Sequence, residues 1–190
     1  MFIRDVECFE MIHKGSNMKY IVWMMTILLV GCTSAPKNID PVTQFQLERY
    51  LGTWYEIVRQ DHAFEEGLSE VTATYTQRDD GGVGVLNRGY SVEEKDWREA
   101  KGRAYFVDSS DVGHLKVSFF GPFYGAYVIF ELDKKDYQYA MISGPSREFF
   151  WLMSRTPTMP LEIQKRLLEK AEALGFQMDK LVYVKHTGEY

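Results

Sequence analysis

The sequence predicts an all-β fold: an eight-stranded up-and-down antiparallel barrel, with one C-terminal α-helix packed outside it and a short ninth strand. Three observations carry this. Eight runs rich in β-branched and aromatic residues follow one another from Trp54 to Ser154, separated by short turn-forming segments. The apolar period becomes helical only once, between Pro160 and Leu174. The stretch Leu51-Gly-Thr-Trp-Tyr-Glu-Ile-Val sets a large rigid indole, Trp54, just after Gly52 at the head of the first strand. Such a ring needs cover on both sides. Arg155, about a hundred residues away, is expected to supply it as a cation lying across the closed end of the barrel.

The leader comes first in the chain. Residues 20–30 form an unbroken apolar run behind Lys14 and Lys19, far short of the ~20 residues that span a bilayer as a helix but of the length of a signal-peptide core. Asp5, Glu7 and Glu10 do not suit the basic flank of a signal, so translation is expected to start at Met11 or Met18. The run ends in Leu29-Val30-Gly31-Cys32. Residues 1–31 are therefore read as a signal peptide, 32–44, rich in Ser, Pro, Asn and Thr, as a tether, and 45–190 as the folded domain.

A short helical turn is expected over Phe45 to Leu51, leading into a strand from Trp54 to Gln60. A polar loop, Asp61 to Ser69, separates it from Glu70 to Gln77, and Asp79-Asp80-Gly81-Gly82 turns the chain into Val83 to Tyr90, because Gly tolerates the positive φ of tight hairpins. After a polar turn, Ser91 to Trp97, come Ala100 to Val107, His114 to Phe120, Ala126 to Leu132, Tyr137 to Ser143 and Phe149 to Ser154. Connections this short favour up-and-down order. From Pro160 to Leu174, Leu161, Leu167, Leu168, Ala171 and Leu174 share a helical face, with Thr158 as N-cap and Gly175 closing the end. One amphipathic helix cannot cover two open sheets, but it can back a single barrel. Leu181 to Val184 supplies the ninth strand.

Composition narrows the function. The net charge is −5, and no basic face is visible of the kind that phosphate contacts need, so nucleic acid is not an expected partner. The two cysteines, Cys8 and Cys32, fall outside the folded part, which leaves no internal disulfide or cysteine-based zinc site. No metal or cofactor is expected. The nucleophile-elbow, zinc-protease, P-loop and dinucleotide motifs are absent, and His62, His114 and His186 stand alone. No catalytic residue is assigned. Glu56 shares the inward face of Trp54 by parity and is expected to pair with Arg155 or a tyrosine.

Gly52-x-Trp54 on the first strand, eight hairpin-linked strands, Arg155 after the last and one helix behind resemble the lipocalin family. Val71-Thr-Ala-Thr-Tyr, Val117-Ser-Phe-Phe-Gly-Pro-Phe-Tyr-Gly and Leu152-Met-Ser-Arg-Thr-Pro-Thr carry the same likeness, from about Leu47 to Lys185. A Thr-Asp dipeptide usual before the seventh strand is replaced by Leu132-Asp133. The resemblance implies that Gly52, Trp54 and Arg155 close the barrel base, and strand alternation then turns Met153, Trp151 and Phe149 inward with Arg155. It also places Tyr75, Asn87 and Tyr127 at positions of ligand contact and Tyr124 near the cavity mouth, with ordinary core packing the alternative for each. Trp151 is the foremost candidate to touch ligand.

The Leu-Val-Gly-Cys stretch is similar to the lipobox of bacterial lipoproteins, which makes Cys32 the lipidated first residue of the mature chain. Thr33, where an inner-membrane signal would prefer Asp, implies sorting to the outer membrane, facing the periplasm. The ligands implied are fatty acids and lysophospholipids, bound for storage or transport in membrane maintenance, and the resemblance admits a homodimer. Burying an acyl chain at about 0.8 kcal/mol per methylene gives a sixteen-carbon chain an upper limit near 13 kcal/mol before ordering costs. Two other classes stay open: an envelope interaction protein on the same scaffold and a lipid-modifying enzyme.

Overall fold

The computed structural model describes residues 33–188, in which the strand runs pair in sequence order. A single turn of helix, α1 (Leu47–Tyr50), leads into β1 (Gly52–Gln60), β2 (Leu68–Gln77), β3 (Val83–Ser91), β4 (Asp96–Phe106), β5 (His114–Ser118), β6 (Gly125–Leu132), β7 (Tyr139–Ser143) and β8 (Phe150–Ser154). Each strand is antiparallel to the next, and β1 pairs with both β8 and β2, which closes an eight-stranded barrel. Helix α2 (Leu161–Ala173) and β9 (Leu181–Tyr183) follow, β9 adding to the outer half of β1.

Two apolar clusters divide the structure. One fills the lower barrel and includes Phe45, Tyr50, Trp54, Tyr75, Ile129 and Met153. The other lies between the outer wall and α2, where Leu167 and Ala171 are buried against Val128, Phe130 and Phe150. Along β6 Tyr127 and Ile129 face in and Ala126, Val128 and Phe130 face out, the period-two pattern of a wall buried on both sides, until an irregularity between Ile129 and Glu131 reverses parity and turns Leu132 inward. Leu161, expected on the buried helix face, is 79% exposed.

Most strand limits agree with the sequence within two residues, and the differences have local causes. β4 begins at Asp96, within the expected turn. Tyr90 and Trp97 pair ring to ring at 5.6 Å, and the Arg88 guanidinium lies 3.7 Å from the Trp97 ring, so the hairpin zips down to residues 92–95. Tyr137 is not in β7: its φ of 55° belongs to a turn that swings its ring into the barrel base beside Phe45. Thr158 does not cap α2; its carbonyl accepts a hydrogen bond from Thr156 and Pro160 occupies the cap position. Gly175, at φ 88°, does end the helix.

The tether is not loose. Ile39 is 2% exposed in the outer cluster, Val42 exchanges backbone hydrogen bonds with Ile129 and Gly113, Arg147 donates to the Lys37 carbonyl, and His114 Nε2 lies 2.8 Å from the Thr33 carbonyl. Apolar residues within the Ser/Pro/Asn composition, Ala35, Ile39 and Val42, bind this segment to the wall. Cys32, the leader and the alternative starts lie outside the described residues.

Candidate functional site: an apolar chamber with one acidic flank

The closed end is built by residues distant in sequence. α1 crosses it, and the guanidinium of Arg155 sits 4.0 Å from the Trp54 ring. Arg155 also donates to three carbonyls, of Thr53 at 3.0 Å, Arg49 at 2.6 Å and Tyr137 at 3.3 Å. Trp54, fully buried, donates its indole N–H to the Tyr50 backbone carbonyl at 2.8 Å, and its ring packs at 4.7 Å and a 33° tilt against the Tyr50 ring. Gly52 has φ 92°, the left-handed region that favours glycine, while a Cβ there would meet Arg155 Nη1 at an ordinary contact distance of 3.5 Å, so the requirement is one of backbone conformation.

Above this plug is a cavity of about 100 Å³. Its walls are carbon-rich, from Val71, Val83, Leu115, Val117, Phe119 and Ile142 among others. Of the positions expected at the site, Tyr75, Asn87, Tyr127, Trp151 and Met153 all line it. Tyr124 does not. It precedes β6 by one residue, at a parity opposite to inward-facing Tyr127, and packs at 6.3 Å on Tyr105 with Lys116 over its ring. Phe149 sits at the mouth, 6.2 Å from Trp151 and 6.4 Å from Phe64. Phe64, Val92, Phe120 and Phe123, all on loops at the open end, are exposed, so the apolar lining continues out to the rim.

Three tyrosines meet within the chamber. Tyr127 Oη lies 2.8 Å from Tyr50 Oη and 2.7 Å from Tyr75 Oη. Burial raises all three phenols above their ordinary range, so they stay protonated. Three protons serve two hydrogen bonds, which leaves one O–H to give.

The other polar flank was not foreseen as a unit. Glu56, 1% exposed, pairs with Arg59 at 2.9 Å rather than with Arg155 or a tyrosine. The cause is a β-bulge. β1 advances from Glu56 to Val58 while β8 advances by one residue, so Ile57 and Val58 both face the outer cluster and Arg59 returns to the inside beside Glu56. Here β1 also leaves β2 for β9. Arg59 bridges the parted strands by donating to the carbonyls of Glu65 at 2.6 Å and Leu68 at 3.5 Å.

Glu65 reaches in from the β1–β2 loop. Its carboxylate accepts from Trp151 Nε1 at 3.1 Å and lies 3.2 Å from His62 Nε2. Burial and the neighbouring Glu65 hold Glu56 well above the usual carboxylate range. Burial works to raise Glu65 as well, but is outweighed by the hydrogen bond and charge of His62, the Trp151 N–H and Arg59, which bring it below that range. Of the two carboxyls, Glu56 is thus the one that takes up a proton first as pH falls.

A closed antiparallel barrel, plugged at one end and hollow and apolar at the other, defines a carrier scaffold for one small hydrophobic molecule. The family model described as a lipocalin-like domain matches residues 45–186. The chain belongs to the lipocalin family. It is 54% identical over 162 residues to the outer membrane lipoprotein Blc of Vibrio cholerae, covering 85% of this chain and 95% of that one. It is 46% identical to the outer membrane lipoprotein Blc of Escherichia coli K12, covering 85% and 92%. Among solved structures, insecticyanin from the tobacco hornworm Manduca sexta superposes with a TM-score of 0.63 at 18% identity, over 81% of this chain and 87% of that one. That likeness is one of fold alone. Relationship to proteins named outer membrane lipoproteins assigns this chain to the outer membrane as a lipid-anchored protein.

Proposed function

We propose that the protein holds fatty acids or lysophospholipids in its barrel and stores or moves them in the periplasm for membrane maintenance, anchored through acyl chains on Cys32. The supporting observation is the chamber itself: an open-ended, carbon-lined hollow with a few converging polar groups, the composition of a lipid pocket. Trp151 and Met153 on β8 form one wall and Tyr75, Asn87 and Tyr127 the polar inner surface. Thr33 is fixed to the barrel through His114. An acyl anchor on the preceding residue would therefore hold the barrel against the bilayer rather than at the end of a leash.

Extraction of the protein from membranes under native conditions, followed by lipid mass spectrometry, identifies what it carries. Titration with a fluorescent fatty acid, and competition by a lysophospholipid, should give saturable binding at micromolar concentration or below. Absence of displacement would favour an interaction scaffold, and turnover of an ester would favour an enzyme.

A further inference from the structure

Strand register sets one cation on the inner side of the mouth. Val83, Val85 and Asn87 of β3 line the chamber and stand opposite Ala104, Gly102 and Ala100 of β4, so the next step of two along β4, Arg98 opposite Gly89, shares the inner face. Its neighbours on β4 face outward, where Trp97 packs on Tyr90 and Glu99 pairs with Arg88 at 3.6 Å. Among the described residues, Arg59 and Arg98 are the strand cations on inner faces, and they are not equivalent. Arg59 is buried, with its guanidinium committed to Glu56 Oε1 and to two backbone carbonyls. Arg98 is half-exposed and pairs, through Nε at 2.7 Å and Nη2 at 2.6 Å, with Glu94 in the β3–β4 turn, which is as exposed as itself. Ion pairs open to water are weak and readily exchanged, so Arg98 can leave Glu94 for another anion at little cost. Below Arg98 the wall is cut back. Ala100, the next inward position, is exposed and offers only a methyl group, and opposite it Asn87 lines the chamber with its Oδ1 enclosed and without a hydrogen-bond partner.

We propose that Arg98, with Asn87 below it, forms the head-group subsite of the chamber: Arg98 takes the phosphate or carboxylate of an acyl amphiphile, and Asn87 Oδ1 accepts from a glycerol hydroxyl where the head group carries one. The proposal rests on the chamber being an acyl-chain site and states where the polar end of the chain lies. A guanidinium meets two oxygens of a phosphate or carboxylate side by side, and it does so without losing its charge at any pH of the envelope. In a lysophospholipid the free hydroxyl stands on the glycerol between the chain and the phosphate. Chamber, Asn87 and Arg98 follow one another from the inside out in that same order. The acidic flank does not oppose this arrangement. Glu56 and Trp151 belong to β1 and β8, across the barrel from β4, and Glu65 already has Trp151 and His62 as partners there. An anion held at Arg98 is therefore kept on the far side of the mouth from the Glu65 carboxylate, where their repulsion is least.

The test uses the full chain in phosphatidylcholine nanodiscs, titrated separately with radiolabelled laurate, dodecyl phosphate, dodecanol and lauroyl lysophosphatidylcholine at pH 7, with binding to empty nanodiscs subtracted. Arg98→Gln should weaken laurate and dodecyl phosphate by about fivefold or more, the loss of one partly solvated ion pair, and leave dodecanol within about twofold. Lys101→Gln removes the same charge from the outer face of the same strand, and should change none of the four by more than about twofold. Asn87→Leu should weaken the lysophospholipid about threefold more than it weakens dodecyl phosphate, which has no hydroxyl to lose. Anion binding unchanged in Arg98→Gln, a loss that falls equally on dodecanol, or an equal loss in Lys101→Gln would overturn the subsite. An equal effect of Asn87→Leu on the two phosphates would overturn the part given to Asn87. Arg98 and Lys101 are exposed, so both variants keep the fold and the comparison between them decides the matter. Absence of saturable binding of all four to the native chain would overturn the acyl-chain reading itself, an outcome distinct from a misplaced head group.

Discussion

Arg155→Lys tests whether the barrel base depends on the shape of the guanidinium or only on its charge. Arginine donates through three nitrogens to the carbonyls of Thr53, Arg49 and Tyr137 while its plane covers Trp54. An ammonium on a flexible stem can replace one of those bonds but cannot hold all three and the ring together. Hydrogen bonds to a charged donor are worth about 1.5–3 kcal/mol each when well buried. Arg155 is only half-buried, so about 1 kcal/mol for each of two lost bonds is the discounted figure. Weakened contact with the indole adds about 0.5–1 kcal/mol. The expected loss is about 2–3 kcal/mol, or roughly 5–10 °C in melting temperature for a domain of this size. Urea unfolding followed by tryptophan fluorescence should show a lower midpoint and an unchanged m-value. A midpoint displaced by less than the equivalent of about 0.5 kcal/mol would refute the reasoning. The base would then be held by packing of Phe45, Tyr50 and Tyr137 alone.

Three further outcomes are expected. Trp151→Ala should leave a folded barrel by circular dichroism and weaken acyl-chain binding at least tenfold; unchanged affinity would put the chain elsewhere. Glu56→Gln should alter the pH dependence of stability. A carboxyl raised on folding contributes stability that is complete below its unfolded pKa, about 4.5, and is lost as pH rises through the folded value. The difference in unfolding free energy between variant and native chain should therefore move in favour of the variant as pH rises above about 4.5, and a flat difference in urea titrations would contradict the upward shift of Glu56. Glu65, lowered on folding, acts in the window below 4.5 and does not confuse the reading. Finally, Ile39→Ala should cost about 2–4 kcal/mol by urea unfolding, as deletion of a buried aliphatic group does. No effect would restore the segment before Phe45 to a free tether.

The fold was legible because its signals were local and repeated. Every strand of the barrel was announced by its own β-branched and aromatic run, and the Asp-Gly and Gly-Pro turns set their order. What the sequence misplaced depended on partners far along the chain. Trp97 reads as a turn residue until Tyr90 and Arg88 stand across from it. Tyr137 reads as strand because it is aromatic, yet its ring is drawn to Phe45 and Arg49 at the base and its backbone yields. The segment before Phe45 has the composition of a linker, but burial of one isoleucine and a handful of backbone hydrogen bonds attach it to the wall.

The site divides along the same line. Met153 and Trp151 follow from Arg155 by alternation, since β8 runs without interruption and each step of two keeps its face. The same rule applied to β1 gives Glu56 correctly and then fails, because the extra residue at Ile57 reverses parity and brings Arg59 inside. No turn residue, glycine or proline marks that bulge; its cause is the exchange of partners from β2 to β9, which only the closed barrel defines. Glu65 and His62 were hidden for a different reason. They lie in a polar loop whose composition favours solvent, and they turn inward because Arg59 and Trp151 offer them donors and rings there. The carbon-lined chamber was thus legible from periodicity, whereas its acidic flank arises from one irregular step in β1.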